Sequence, residues 1–183
     1  MIEIKGLTVS FQGKTVFDNR SFQFPDQGIV MISGESGIGK TTLLRVLSGL
    51  NKPSGCIMTG LDGRKLSFVF QEPRLLDHMT ALENVSIVSD RSTAEKLLVK
   101  LHMEHELNQK AGSLSGGQKQ RVSLARAFAF STDVVLLDEP FSGLDEYNKT
   151  AAAQLIQSSK LAIVVSHDPK DEELLKPDKK ITL

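Results

Sequence analysis

The stretch GIVMISGESGIGKTT, residues 28–42, constrains this chain more than any other. A short apolar strand runs directly into Gly34-Glu35-Ser36-Gly37-Ile38-Gly39-Lys40-Thr41. Beyond it Leu43, Leu44, Val46, Leu47 and Leu50 fall at helical spacing, with Pro53 and Gly55 as the expected stop. The pattern G-x-x-x-x-G-K-[ST] between a strand and a helix is a phosphate cradle. Its glycines let backbone amides from Gly34 through Thr42 curl around phosphates, and the helix N-terminus adds its positive dipole end. Lys40 reaches the β and γ phosphates, and the Thr41 hydroxyl ligates Mg²⁺. A turn that merely joined strand to helix would not need Lys followed by Thr at the helix entrance. The expected ligand is a nucleoside triphosphate.

A second motif supplies acid groups. VVLLDEP, residues 134–140, is an apolar run that ends in Asp138 and Glu139. A buried strand of this kind delivers both carboxylates to the carboxyl edge of a parallel sheet, where open α/β sheets bind ligands. Asp138 suits the Mg²⁺ shell, and Glu139 is placed to take a proton from an attacking water.

The rest of the chain agrees with an α/β unit. IEIKGLTVSF and TVFDNRSFQF, joined by the turn QGK, predict an opening antiparallel hairpin. LSFVFQ and LAIVVS predict further strands, and residues 146–158 a helix; the alternation predicts a mainly parallel sheet. Between them, residues 80–110 turn to helix formers with polar faces. The 183 residues form one domain, 1–183, with a helical insertion over about 72–128. His102 and His105 in HMEH fall on that polar stretch and read as a solvated face rather than a metal site.

Composition narrows the class. Lys plus Arg and Asp plus Glu both total 22, so no net positive field draws the chain to nucleic acid. The single cysteine, Cys56, excludes an internal disulfide and argues for a reducing compartment. Apolar runs fall far short of the ~20 residues that a membrane-spanning helix needs, so a role at a membrane requires another chain to span it.

Taken together, the motifs resemble the nucleotide-binding subunit of ABC transporters over residues 1–167. Besides the phosphate loop and the Asp138-Glu139 pair, five segments carry the likeness. Phe11 resembles the aromatic that stacks on adenine, and Gln71 in FVFQEP the glutamine that approaches Mg²⁺ or water. LSGGQ at 114–118 is the family signature, SGLD at 142–145 resembles the loop that follows the acidic pair, and His167 in VVSHD the switch histidine. The resemblance implies an ABC-type α/β fold with a mainly parallel core, an N-terminal antiparallel β subdomain and a short helical subdomain. It implies ATP and Mg²⁺ as ligands, the metal held by Thr41, Gln71 and Asp138, and hydrolysis carried by Glu139, His167, Gln71 and Lys40. It also implies a head-to-tail pair of cassettes, in which Ser115, Gly116, Gly117 and Gln118 of one copy cap the γ-phosphate held by the other.

Partners follow in the same way. Residues 72–113, between Gln71 and the signature, leave no room for the long coiled coils or zinc modules of ABC-type ATPases that act on DNA, and the chain holds one cassette rather than the two of the translation factors. The resemblance therefore implies a transport ATPase at the cytoplasmic face of the membrane. Its partners are a second cassette, identical or not, a transmembrane permease and an extracytoplasmic solute-binding protein, with no nucleic acid. VFQEPRLLDHMTALENV is similar to the importers of the nitrate, sulfonate and taurine group, with Asp77 and His78 departing from their usual apolar residues. An exporter ATPase and a soluble ABC-type ATPase acting on nucleic acid or ribosomes are the alternative readings.

Overall fold

The structure is a computed structural model that describes every residue except Gln12 and Ser54. The N-terminal hairpin forms as the alternation predicts: β1 (Ile2–Phe11) pairs antiparallel with β2 (Lys14–Phe24). Its expected turn at QGK includes Gln12, which lies outside the described residues. A short strand β4 (Ile57–Thr59), too brief to be read from sequence, adds to the free edge of β1 to make a three-stranded sheet.

The core sheet has five parallel strands in the order β5-β6-β7-β3-β8: β3 (Gly28–Ser33), β5 (Leu66–Val69), β6 (Val134–Asp138), β7 (Leu161–Val165) and β8 (Lys179–Thr182). Because side chains alternate across a strand, successive residues serve different layers. Val134, Leu136, Ile163 and Val30 pack toward the three-stranded sheet and α1 (Lys40–Leu47). Val135, Leu137, Ala162 and Val164 pack toward the helices on the other face. Those helices are α2 (Ala81–Ser86), α3 (Arg91–Lys100), α4 (Gly116–Ala129), α5 (Glu146–Gln157) and α6 (Pro169–Leu175).

Register places the functional loops together. Ile32 and Asp138 both stand opposite Val165, and Val69 stands opposite Leu137. The segments that leave β3, β5, β6 and β7 therefore emerge side by side at one carboxyl edge, which is where such sheets bind ligands.

Two expectations are corrected. The helix after the glycine loop ends at Leu47, not near Pro53: Gly49 takes φ 75° just past the cap, the left-handed stop that glycine supplies, and Leu50 is left exposed. The stretch 80–110, read as helix formers, holds α2 and α3 joined by turns. His102 is not on a solvated face, since it stacks on Tyr147 at 4.2 Å between centroids and meets Asn148 at 3.3 Å; His105 is exposed.

Candidate functional site

Local chemistry shapes the glycine loop. Gly34, Gly37 and Gly39 take φ of 143°, 78° and 119°. At Gly39 the need is also spatial, because a Cβ there would lie 2.6 Å from Val16 Cγ1 and 2.9 Å from Phe17 Cζ. Gly39 also starts α1 with no side-chain cap, so the first-turn amides are offered to a ligand instead. The Lys40 ammonium folds over the loop and donates to the carbonyls of Gly34 and Glu35 at 2.8 and 2.9 Å.

One cleft of about 570 Å³ gathers Ser36, Gly37, Gly39, Lys40, Thr41 and Thr42 with Gln71, Asp138, Glu139, Val165 and His167. Asp138 closes β6, is 3% exposed, and keeps Oδ1 without a hydrogen-bond partner. Burial pushes its carboxyl above the ordinary aspartate value, the Thr41 hydroxyl beside it pulls the other way, and the Glu139 charge adds to the rise. A buried, partnerless carboxylate oxygen beside a hydroxyl and an ammonium fits a hard divalent cation, which takes oxygen ligands. Among the described residues no group of three or more acidic, His or Cys side chains could hold a metal alone.

Glu139 follows in a left-handed conformation, φ 50°, rare for a residue with a side chain and a mark of strain at functional sites. Its amide donates to the Val165 carbonyl at 2.9 Å, which ties the turn back onto β7. His167 Nδ1 lies 2.8 Å from Glu139 Oε1, and this contact raises the imidazole above its ordinary value.

Two predicted site elements lie elsewhere. Phe11, 48% exposed at the end of β1, lines a separate cleft with Thr8, Val9, Ser10 and residues 50–53. Ser115, Gly116, Gly117 and Gln118 sit at the N-terminus of α4, outside the phosphate cleft of their own chain. There Ser115 and Gln118 form a capping box: the Ser115 hydroxyl accepts from the Gln118 amide at 3.3 Å, and Gln118 Oε1 accepts from the Ser115 amide at 2.9 Å.

Sequence reading also missed three polar residues, Asn84 and Gln120 buried and Lys149 half-buried. Asn84 clamps 76–80, accepting from Leu76 N and donating to the carbonyls of Leu76, Met79 and Thr80. Lys149 on α5 holds Asp168 and Asp171, both just after His167, at 3.2 and 3.1 Å. Gln120 on α4 donates to the Pro140 carbonyl at 3.1 Å. The available signal for Asn84 was a polar residue on a helical face otherwise set by Ala81, Leu82 and Val85.

Fold and cleft together define a phosphate-loop nucleoside triphosphatase. Comparison narrows the class. The ABC transporter family model matches residues 17–142. The aliphatic sulfonates import ATP-binding protein SsuB of Delftia acidovorans is 36% identical over 100% of this chain and 79% of its own. The sulfate/thiosulfate import ATP-binding protein CysA of Vibrio vulnificus is 39% identical over 79% of this chain, which spans about half (48%) of that relative. The dimeric structure of MJ0796, a bacterial ABC transporter cassette, superposes with a TM-score of 0.90 at 29% identity, covering 100% of this chain and 94% of that one. A dimeric post-hydrolysis state of the same cassette, bound to ADP and Pi, superposes at 0.86. The chain belongs to the ABC transporter family, as an ATP-binding and ATP-hydrolysing cassette of the expected α/β fold.

Proposed function

We propose that this cassette drives solute import through a separate permease, pairing with a second cassette so that each ATP is bound between two copies. The observation that carries the reading is the cleft itself, where Lys40, Thr41, the partnerless Asp138 oxygen, Glu139 and His167 converge. In this reading 1–183 is one domain, with 72–128 as its helical insertion. The amides of Gly34 to Thr42 and the Lys40 ammonium hold the triphosphate, and Phe11 stacks on the base.

Thr41, Asp138 and Gln71 would hold Mg²⁺, which supplies charge neutralisation between the β and γ phosphates. Glu139 takes a proton from water as its oxygen attacks the γ-phosphorus. The bond to the β–γ bridging oxygen breaks, and ADP and phosphate leave. His167, whose Nδ1 lies 2.8 Å from Glu139 Oε1, fixes the direction of that carboxylate beside the developing negative charge. Ser115, Gly116, Gly117 and Gln118 cap the γ-phosphate of the second copy.

Names of the relatives point to import of sulfur oxyanions, organic sulfonates or sulfate, with the solute chosen by the permease and a solute-binding protein. Among the described residues no helix is long and apolar enough to cross a membrane. In this reading a permease spans the membrane and the cassette works at its cytoplasmic face. Coupling to it is assigned to Gln71 and the adjoining 75–79.

Glu139→Gln tests the chemistry. It should keep ATP affinity and cut turnover by about 10² or more, since a positioned base contributes that much. Turnover within about threefold of the unsubstituted protein would remove Glu139 from the role.

A further inference from the structure

We propose that Gln120 is a positioning residue for hydrolysis: from α4 it holds the Glu139-Pro140 turn, so that the helix carrying the signature loop also sets the catalytic carboxylate of its own chain. The inference rests on the assignment of Glu139 as the base.

The geometry starts from an oddity of composition. Gln120 is 1% exposed, and buried amides survive only where their hydrogen bonds are made. Its Nε2 donates to the Pro140 carbonyl at 3.1 Å, a bond buried from solvent. That carbonyl belongs to the residue directly after Glu139, whose φ of 50° a side-chain-bearing residue adopts only when its surroundings enforce it. The turn is enforced from both sides. On one side the Glu139 amide donates to Val165 of β7, and the Glu139 carbonyl accepts from Ser142 N at 3.1 Å. On the other side stands α4.

A second contact packs α4 against the same turn. Gly117, on the first turn of the same helix, packs so closely on residues 143–144 that a Cβ there would lie 2.5 Å from the Gly143 carbonyl oxygen. Gln120 and Gly117 therefore seat one helix on both ends of the loop 140–143. At the tip of that helix Ser115 and Gly116 are exposed, and a Cβ on Gly116 would meet nothing within 4 Å. Arg121, the next residue, fixes the opposite face by donating to the carbonyls of Leu101 and His102 at 2.8 and 2.6 Å. A displacement at Ser115 is thus delivered to the Glu139 turn through less than two turns of helix. Engagement of the signature loop and alignment of the base become linked within one chain.

The test is a double-variant cycle on the full chain, read by steady-state ATPase kinetics, nucleotide affinity and thermal unfolding. Gln120→Met keeps the length of the side chain and removes the donor; Gln120→Asn keeps the amide but cannot span the gap, and replaces Met if that variant does not fold. Either should lower kcat about tenfold or more while KM for ATP stays within about twofold, because a small misplacement of a catalytic group costs rate rather than binding. Added to Glu139→Gln, the same substitution should cost little further, since residues that act through one group are not additive. Unchanged kcat in a folded Gln120 variant would overturn the proposal, as would full multiplication of the two losses in the double variant. If Glu139→Gln alone retains turnover, the assignment of the base fails instead, and the two failures are told apart.

Discussion

The two glycine-rich segments of this molecule open helices in the same way and use them differently. The loop 34–41 leads into α1 without a side-chain cap, and its Ser36, Gly37, Gly39, Lys40 and Thr41 line a cleft with the acidic residues of their own chain. The loop 114–118 leads into α4 through a complete capping box and lines no part of that cleft. In the first, Gly39 is required by what stands next to it inside the fold; in the second, Gly116 faces open space. The difference lies in where each loop faces: the first lines the cleft of its own chain, and the second, exposed at its helix entrance and outside that cleft, is the loop that the proposed pairing turns toward a second copy.

Substitutions at the two loops should therefore differ in kind. Gly39→Ala has the largest expected effect. Its Cβ has no room and φ 119° disfavours any side chain, so strain of about 1–3 kcal/mol is expected. Nucleotide affinity should fall by at least about tenfold, read by equilibrium binding to the monomer. Affinity equal to that of the unsubstituted chain would show that the loop shape is not what binds.

Ser115→Ala is the counterpart with a middling effect. It removes the cap of α4, worth about 1 kcal/mol, and should lower Tm by about 2–4 °C. ATP affinity of the monomer should not change, because Ser115 lies outside its own cleft, whereas turnover should drop. A loss of monomer affinity would place the second loop on its own nucleotide and erase the contrast.

How far the contrast was legible in the sequence depends on the range of the contacts. Loop 34–41 and the Asp138-Glu139 pair are local patterns, each set by neighbours within a few residues, and the structure places them between strand and helix and at the end of β6 as their sequence predicts. What was missed is set at long range. Strand β8 and helix α6 carry weak patterns, and β8 is fixed by pairing with β3 some 150 residues earlier. Gln120 and Lys149 sit on helices whose own sequence gives no hint of a partner at Pro140 or Asp168. The end of α1 was misplaced for a different reason: Leu50 continued the helical spacing, but Gly49 had already turned the chain.

The smallest effect concerns the pair at the cleft edge. Glu139 raises the His167 value above the ordinary imidazole, so charged His167 stabilises the fold. That contribution is fully present below the unfolded value, about 6.5, while Glu139 stays ionised, and is lost as pH rises through the raised folded value. Since His167 is 75% exposed, the effect is modest. The Tm difference between the unsubstituted chain and His167→Ala should be largest near pH 6 and shrink toward pH 9; a difference independent of pH would show that the contact is not ionic.

The central claim is that Ser115 serves the nucleotide of another copy, and a disulfide tests it most directly. Cys56 is the only thiol, so Cys56→Ala gives a clean background for Ser36→Cys with Ser115→Cys, and Glu139→Gln keeps ATP from being spent. If both residues flank one triphosphate across an interface, their Cα atoms come near the ~4.4–6.8 Å that a disulfide requires. Mild oxidation with Mg-ATP should give a covalent dimer on a non-reducing gel, with much less without nucleotide and none from either single-cysteine control. An ATP-dependent disulfide confined to one chain, with no dimer band, would contradict the account.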